Sequence, residues 1–167
     1  GVLYLDDFNR EVLEKLLADS GLEFTELFPC RTYVFLAAGH PLAERALITL
    51  EDLAPYPCLS FDQGQSFYLA EEVYSTYHYR QVIKASDRAT LLNLMVGLDG
   101  YTLCSGILCE ELNGDGYRAV PLDSDKIMHI GYVKRQGCVL SPLAKIYLEE
   151  LDRCNVNVLD HPAGPTR

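Results

Sequence analysis

VIKASDRATLLNLMVGLDGYTLCSGIL, residues Val82 to Leu108, is the stretch whose reading decides the fold. It reads as a strand over Val82–Ala85, a cap at Ser86-Asp87 and a helix from Arg88 to Val96. A turn through Gly97-Leu98-Asp99-Gly100, a strand over Tyr101–Cys104 and a small-residue loop at Ser105-Gly106 follow. Apolar and β-branched residues fill the strands, and a side-chain acceptor stands where the first N–H groups of the helix lack partners. The helical spacing puts Arg88, Leu91, Leu92, Met95 and Val96 on one stripe and Leu94 on another side, which predicts a largely buried helix. The whole is a β-α-β unit whose helix start, with free N–H groups and the positive end of the dipole, attracts anions.

Outward from this unit, the pattern continues in both directions. Upstream, Val2 to Leu5 is a short strand. Phe8, Val12, Leu13, Leu16 and Leu17 recur at helical spacing, with Asp7 or Asn9 as cap and Gly21 as stop. Glu23 to Phe28 and Arg31 to Ala38 read as strands separated by a break at Pro29. Thr49 opens a short helix that Pro55 and Pro57 terminate. Cys58 to Phe61 is a strand, Asp62 to Ser66 a polar loop, and Phe67 to Tyr77 a predicted helix with Leu69, Val73 and Tyr77 inward and Glu71 and Glu72 outward. Downstream, a short helix near Leu108 to Leu112 and an Asn113-Gly114 turn lead to strands at Tyr117–Leu122 and Lys126–Lys134. Ser141-Pro142 opens a last helix with Leu143, Ile146, Tyr147 and Leu151 inward. Asp160 to Arg167 has no periodicity and is expected to be disordered.

Strands alternate with helices nearly throughout, which predicts a mostly parallel sheet with right-handed crossovers. The two long strands 31–38 and 126–134 bracket a middle section that has its own strands and helices. Two sheets joined by two strand crossovers account for that bracketing.

Composition narrows the function. At 167 residues and 49% hydrophobic the chain is long enough for a medium domain or two small lobes. It has no apolar run of membrane-spanning length and no secretion signal, so the expectation is a cytoplasmic protein without a membrane partner. A net charge of −10 argues against gripping a phosphate backbone directly. The six cysteines form no C-x-x-C pair and read as reduced thiols. A zinc site from Cys104, Cys109 and a histidine matches no common spacing, so no metal and no cofactor is expected. A Ser105 or Cys104 nucleophile with His129 as base lacks an orienting third group, and the paired acids read as solvated helix faces, so the chain is not expected to be an enzyme.

His40-Pro41-Leu42-Ala43, Ile48 to Ala54 with Pro57 and Leu59, Ser86 through Leu91-Leu92 to Val96-Gly97, and Leu140-Ser141-Pro142 occur in an order that resembles the effector-binding domain of LysR-type transcriptional regulators. The likeness covers roughly residues 1 to 152. It implies an α/β, two-lobed periplasmic-binding-protein-like (type II) fold, with lobes joined by two crossing strands and a small-molecule effector between them. Residues 1–42 and 120–153 would form the first lobe, 43–119 the second, and 154–167 a disordered tail. The opening at Gly1 inside a strand suggests a piece of something longer. The family's helix-turn-helix domain, its linker helix and the first strand-helix-strand of the first lobe have no counterpart here, and Gly97-Leu98-Asp99-Gly100 is one residue longer than the family's usual turn.

The resemblance implies a pocket at the loop after the second lobe's first strand, which is Ser60, Phe61, Asp62, Gln63 and Gly64. It also places Ser86, Asp87, Arg88 and Thr90 on the cleft, where the helix start independently favours an anion contact, Arg88 first. Ser105 and Gly106 follow a strand's carboxyl end, where open α/β sheets gather ligands. Each has a plainer reading, as a surface turn, a cap or a tight turn. Tyr4, Asp6 and Asp7 hold the equivalent edge of the first lobe, and His40 reads as a hydrogen bonder near the hinge. The function expected is sensing of a small anionic or polar effector, within a homodimer or higher homo-oligomer that reaches DNA through a domain absent from this chain. The alternatives are a stand-alone solute-binding protein and a small α/β enzyme.

Overall fold

The computed structural model describes residues 1–66, 72–74, 77–108 and 114–153. Among them, in order, are β1 (Val2–Leu5), α1 (Arg10–Asp19), β2 (Leu22–Arg31), β3 (Tyr33–Ala37), α2 (Leu50–Leu53) and β4 (Cys58–Phe61). They are followed by β5 (Val82–Ala85), α3 (Arg88–Gly97), β6 (Tyr101–Cys104), β7 (Tyr117–Pro121), β8 (Ile127–Arg135) and α4 (Pro142–Arg153). The chain divides into two compact units, residues 1–30 with 126–167, and residues 31–125. Residues 31–42 and 120–125, assigned from sequence to the first lobe, have their contacts in the second unit, because β3 and β7 pair there.

The first unit holds a three-stranded sheet in the order β1-β8-β2. β1 runs antiparallel to β8, Val2 opposite Tyr132 and Leu5 opposite His129. Gly131 of β8 lies hard against Phe24 and Thr25 of β2. A Cβ there would lie 2.4 Å from the Thr25 carbonyl and 2.3 Å from the Phe24 ring, so only glycine fits. Leu5, Leu13, Phe28, Cys30 and Met128 are buried. Asn9 is also fully buried. Its side chain accepts from the Asp6 N–H at 2.8 Å, and Asp6 Oδ1 accepts from the Phe8 and Asn9 N–H groups, which fastens the start of α1 to the end of β1.

The second unit is a five-stranded sheet in the order β5-β4-β6-β3-β7. β4 is parallel to both β5 and β6, while β3 is antiparallel to β6 and β7. The sheet is therefore mixed, not mostly parallel as expected. Side chains alternate across it. Leu59, Ala85 and Phe35 pack with Leu91 and Met95 of α3 on one face. Val34, Leu36, Cys58, Tyr101, Leu103 and Val120 pack with Leu42, Ile48, Leu53 and Tyr74 on the other. α2 begins with the expected capping box between Thr49 and Asp52.

Four local expectations are corrected. β2 continues through Pro29, which is tolerated because β2 lies at the end of the strand order. Of the helix expected at 67–77, the described residues 72–74 and 77 are not helical; the others, like the helix at 108–112 beyond Leu108, Asn113 and the tail 154–167, lie outside the described residues. Val96 on α3 is 60% exposed, so that helix buries only Leu91 and Met95. Leu143, Ile146 and Tyr147 of α4 are each more than half exposed, because little of this unit covers their stripe.

His40 secures the turn after α3. Its Nε2 lies 3.0 Å from the Asp99 carbonyl, its Nδ1 accepts from the Leu42 N–H at 3.0 Å, and its ring packs on Tyr56 with centroids 4.4 Å apart. Only the neutral Nε2–H tautomer serves both bonds. The bond is made to a residue in the left-handed region, Asp99 at φ +50. Burial lowers the imidazole's pKa below its usual 6.5. The folded state therefore binds a proton less readily than the unfolded chain. This contribution to stability is complete above about pH 6.5 and is lost as pH falls through the folded value. Denaturant midpoints measured from pH 7.5 to 5 are expected to fall less steeply for His40→Ala than for the native chain, from a lower starting stability.

Candidate functional site

Because β5, β4 and β6 run the same way, their carboxyl ends share one edge. Phe61 lies opposite Ala85, and the Asp62 N–H donates to the Ala85 carbonyl at 3.0 Å, so the loops leaving β4 and β5 start side by side. The loop after β6 begins on the same edge. All three groups of candidate residues drawn from the sequence are thus brought to one edge of one sheet, the position at which open α/β sheets bind ligands.

The first loop is a built turn. Asp62 Oδ1 accepts from the Gly64 N–H at 3.1 Å and lies 3.9 Å from Lys84 Nζ, and Gly64 holds φ +56. Ser60, Phe61, Gln63 and Gly64 wall a cavity of about 240 Å³, together with Val73, Tyr74, Tyr77, Tyr79, Val82 and Lys84. The register Ser60 to Lys84 puts both side chains on the face opposite α3. Tyr77 and Tyr79 meet edge to face, with centroids 4.7 Å apart.

Glu72 does not itself line the cavity; its side chain meets that of Ser60, which does. Expected on a solvated helix face, Glu72 is only 8% exposed, and its Oε2 has no hydrogen-bond partner. Burial raises its carboxyl above the usual range, against the Ser60 side chain, which stabilises the charged form. The Glu72 carbonyl anchors the segment to the sheet, accepting from the Leu103 N–H at 3.4 Å and the Cys58 thiol at 3.3 Å. Burial pushes that thiol's pKa up to about 12, so Cys58 is an inert core group.

The helix start is occupied by the protein itself. Asp87, not Ser86, is the cap: Oδ1 accepts from the Thr90 N–H at 2.8 Å and Oδ2 from the Thr90 hydroxyl at 2.7 Å. The Thr90 backbone bond leads in holding the Asp87 carboxyl below its usual pKa. The positive end of the α3 dipole already faces this carboxylate, which weakens the case for an external anion there. Ser86, Asp87, Arg88 and Thr90 are exposed and do not line the cavity. Ser105 and Gly106, half-buried, do not line it either. Gly106 takes φ +78 and a Cβ on it would lie 2.5 Å from the Tyr33 ring, so this loop is a turn pressed against an aromatic. Among the described residues no group of three or more His, Cys, Asp or Glu is arranged to hold a metal, and Cys109 lies outside them. No helix among the described residues is long and apolar enough to cross a membrane.

The sequence reading missed Glu72, the three tyrosines and Lys84. The spacing of Tyr74, Tyr77 and Tyr79 within six residues was a signal for an aromatic wall. The Ser60–Lys84 pairing appears only once the strand register is known.

The family model for the LysR substrate binding domain matches residues 11–154. The chain is similar in structure to a LysR-family transcriptional regulator from Pseudomonas aeruginosa, at 16% identity over 93% of this chain and 52% of that one, with a TM-score of 0.59. It is similar to the reduced form of OxyR, at 23% identity over 92% and 67% of the two chains, TM-score 0.54. It is also similar to the effector-binding domain of QuiR in complex with shikimate, at 14% identity over 90% and 79%, TM-score 0.52. At such identities the likeness is one of fold. The chain spans about half the length of the Pseudomonas regulator. No curated protein matches it significantly. The α/β, type II periplasmic-binding-protein-like class expected from the sequence is borne out by the family match.

Gly106→Ala is expected to destabilise the second unit by about 1–3 kcal/mol through overpacking and the positive φ. Tyr33→Leu in the same background should recover part of that loss. A double-mutant cycle in denaturant reads the coupling.

Proposed function

The chain belongs to the LysR substrate-binding domain family, and on that premise we propose that it is the sensing part of a bacterial transcription regulator, binding a small polar effector at the carboxyl edge of β5, β4 and β6. The observation that supports this most is the convergence of the loops after these strands on one edge, one of them walling a cavity. In this reading Ser60, Phe61, Asp62, Gln63 and Gly64 form the effector loop, flanked by Ser86, Asp87, Arg88, Thr90, Ser105 and Gly106. A cavity of about 240 Å³ lies just below the usual range for drug-sized ligands, which suits a small effector.

The role is regulatory and not catalytic. The effector acts by its differential affinity for two arrangements of the domain, since equal affinity shifts nothing. The working form is a homodimer or higher homo-oligomer in the cytoplasm, and DNA is gripped by a helix-turn-helix domain elsewhere in the regulator. A net charge of −10 leaves this chain unsuited to that task.

A thermal-shift screen of small polar metabolites tests the reading. A true effector at about 100 times its Kd stabilises by about 2.7 kcal/mol, enough to raise Tm by several degrees. The shift is expected to fall by more than half in Phe61→Ala and in Gln63→Ala. A stabilising compound whose shift both variants leave unchanged would place the site elsewhere.

A further inference from the structure

One wall of the cavity reaches beyond it. Tyr74 lines the cavity and belongs to the same buried cluster as Ile48, Leu53 and Leu122. It is 9% exposed, and its hydroxyl donates to the Ser124 hydroxyl at 3.3 Å, 50 positions along the chain. The backbone of Tyr74 is held separately. Its N–H donates to the Tyr79 hydroxyl at 2.6 Å, and its carbonyl accepts from the Tyr77 N–H at 3.1 Å. With the backbone tied, the side chain is left its own torsions, and a displaced ring carries the hydroxyl with it.

Ser124 stands where the chain leaves the second unit, whose last residue is Asp125. The approach to it is fastened by the backbone. The Ile48 N–H donates to the Pro121 carbonyl at 3.0 Å, and the Asp123 N–H to the Ile48 carbonyl at 2.7 Å. The Leu122 N–H donates at 3.1 Å to the carbonyl of Thr32, next to the first residue of this unit, so the incoming and outgoing passages of the chain are tied together. Thr32, Ile48 and Leu122 are all buried. Ser124 itself is half-buried and is held through its side chain by Tyr74. At 3.3 Å that bond is longer than the usual hydroxyl pair, so a small displacement of the ring either tightens it or breaks it. Among the described wall tyrosines, Tyr77 gives its hydroxyl to the Leu50 carbonyl and Tyr79 receives the Tyr74 N–H, while Tyr74 is bonded to the outgoing passage.

We propose that Tyr74 is a positioning residue that carries occupancy of the cavity to the outgoing passage of the chain. An occupant displaces the ring, the hydroxyl moves, and the bond to Ser124 is tightened or released two residues before Lys126 opens the other unit. The assignment rests on reading this cavity as the effector site, and adds how that site reports. It divides the labour within one side chain: the ring meets the occupant, and the hydroxyl meets the crossover. Packed side chains and hydrogen bonds carry coupling only where they have two arrangements that both ends can bias, and a long bond at the end of a buried ring provides them.

Phenol, a single ring suited to an aromatic wall, is the probe, titrated into isotope-labelled protein and followed by amide NMR. It is expected to shift the amides of 60–64 and 77–79, which report occupancy, and those of Asp123, Asp125 and Lys126, which report the crossover. Ser124→Ala lies outside the cavity and removes one long hydrogen bond, so it should change phenol's Kd by about threefold or less. It should nevertheless cut the saturating shifts at Asp123, Asp125 and Lys126 by more than half. Tyr74→Phe should cut them by the same share, and the double variant no further, since both remove one bond. If either single variant keeps the full response at those three residues, or if phenol shifts the cavity amides of the native chain and leaves those three unmoved, the relay is overturned while the cavity stands as a site. If phenol at millimolar concentration moves none of the cavity amides, the effector-loop reading falls, and the relay with it.

Discussion

Strand β4 has four residues and is hydrogen-bonded on both sides to strands that run its own way. Its register against β5 controls what the site contains. With Cys58 opposite Val82 and Ser60 opposite Lys84, the small polar side chain faces the cavity while Leu59 turns to α3. A slip of one residue would exchange the faces, turning Leu59 to the cavity and Ser60 under the helix. The register is held at both ends, by Cys58 N–H donating to the Gln81 carbonyl and Asp62 N–H donating to the Ala85 carbonyl, each at 3.0 Å. Packing of Leu59 and Ala85 with Leu91 and Met95 penalises any alternative.

Two carboxyls near this edge show how environment sets the role of one chemical group. Asp87 is exposed, accepts two hydrogen bonds from Thr90 and is held in its charged form. It completes the helix end and leaves that end little appetite for another anion. Glu72 is buried, has one oxygen unpartnered and is pushed towards its neutral form. The region's unmet electrostatic demand thus lies on the face opposite α3, where the sequence pattern gave no hint of it.

Much of the second unit was legible because its local signals agree. In residues 82–104 the strand composition, the cap, the helical stripe and the glycine-flanked turn all specify the same β-α-β unit, and the helix and both strands appear where expected. The loop 60–64 was legible from family likeness, and the structure gives it a cavity. What escaped depends on tertiary context. Pro29 reads as a break, yet at the end of a strand order its missing N–H is tolerated. Glu72 reads as solvent-facing only if its segment is a regular helix, and the described part is not. The α4 stripe of Leu143, Ile146 and Tyr147 is real as a periodicity, but a period cannot say what covers it. Strand direction is equally silent in sequence, which is why the antiparallel placement of β3 against both β6 and β7 was not foreseen.

The tyrosine wall has an optical consequence. The chain contains no tryptophan, so excited tyrosines have no indole to pass their energy to. Of its eleven tyrosines, three stand around one cavity, and two of these rings are in edge-to-face contact. A share of the chain's intrinsic emission therefore comes from a single small volume. Whatever enters that volume alters quenching at the chromophores around it, and the domain carries its own fluorescent reporter of occupancy without a label.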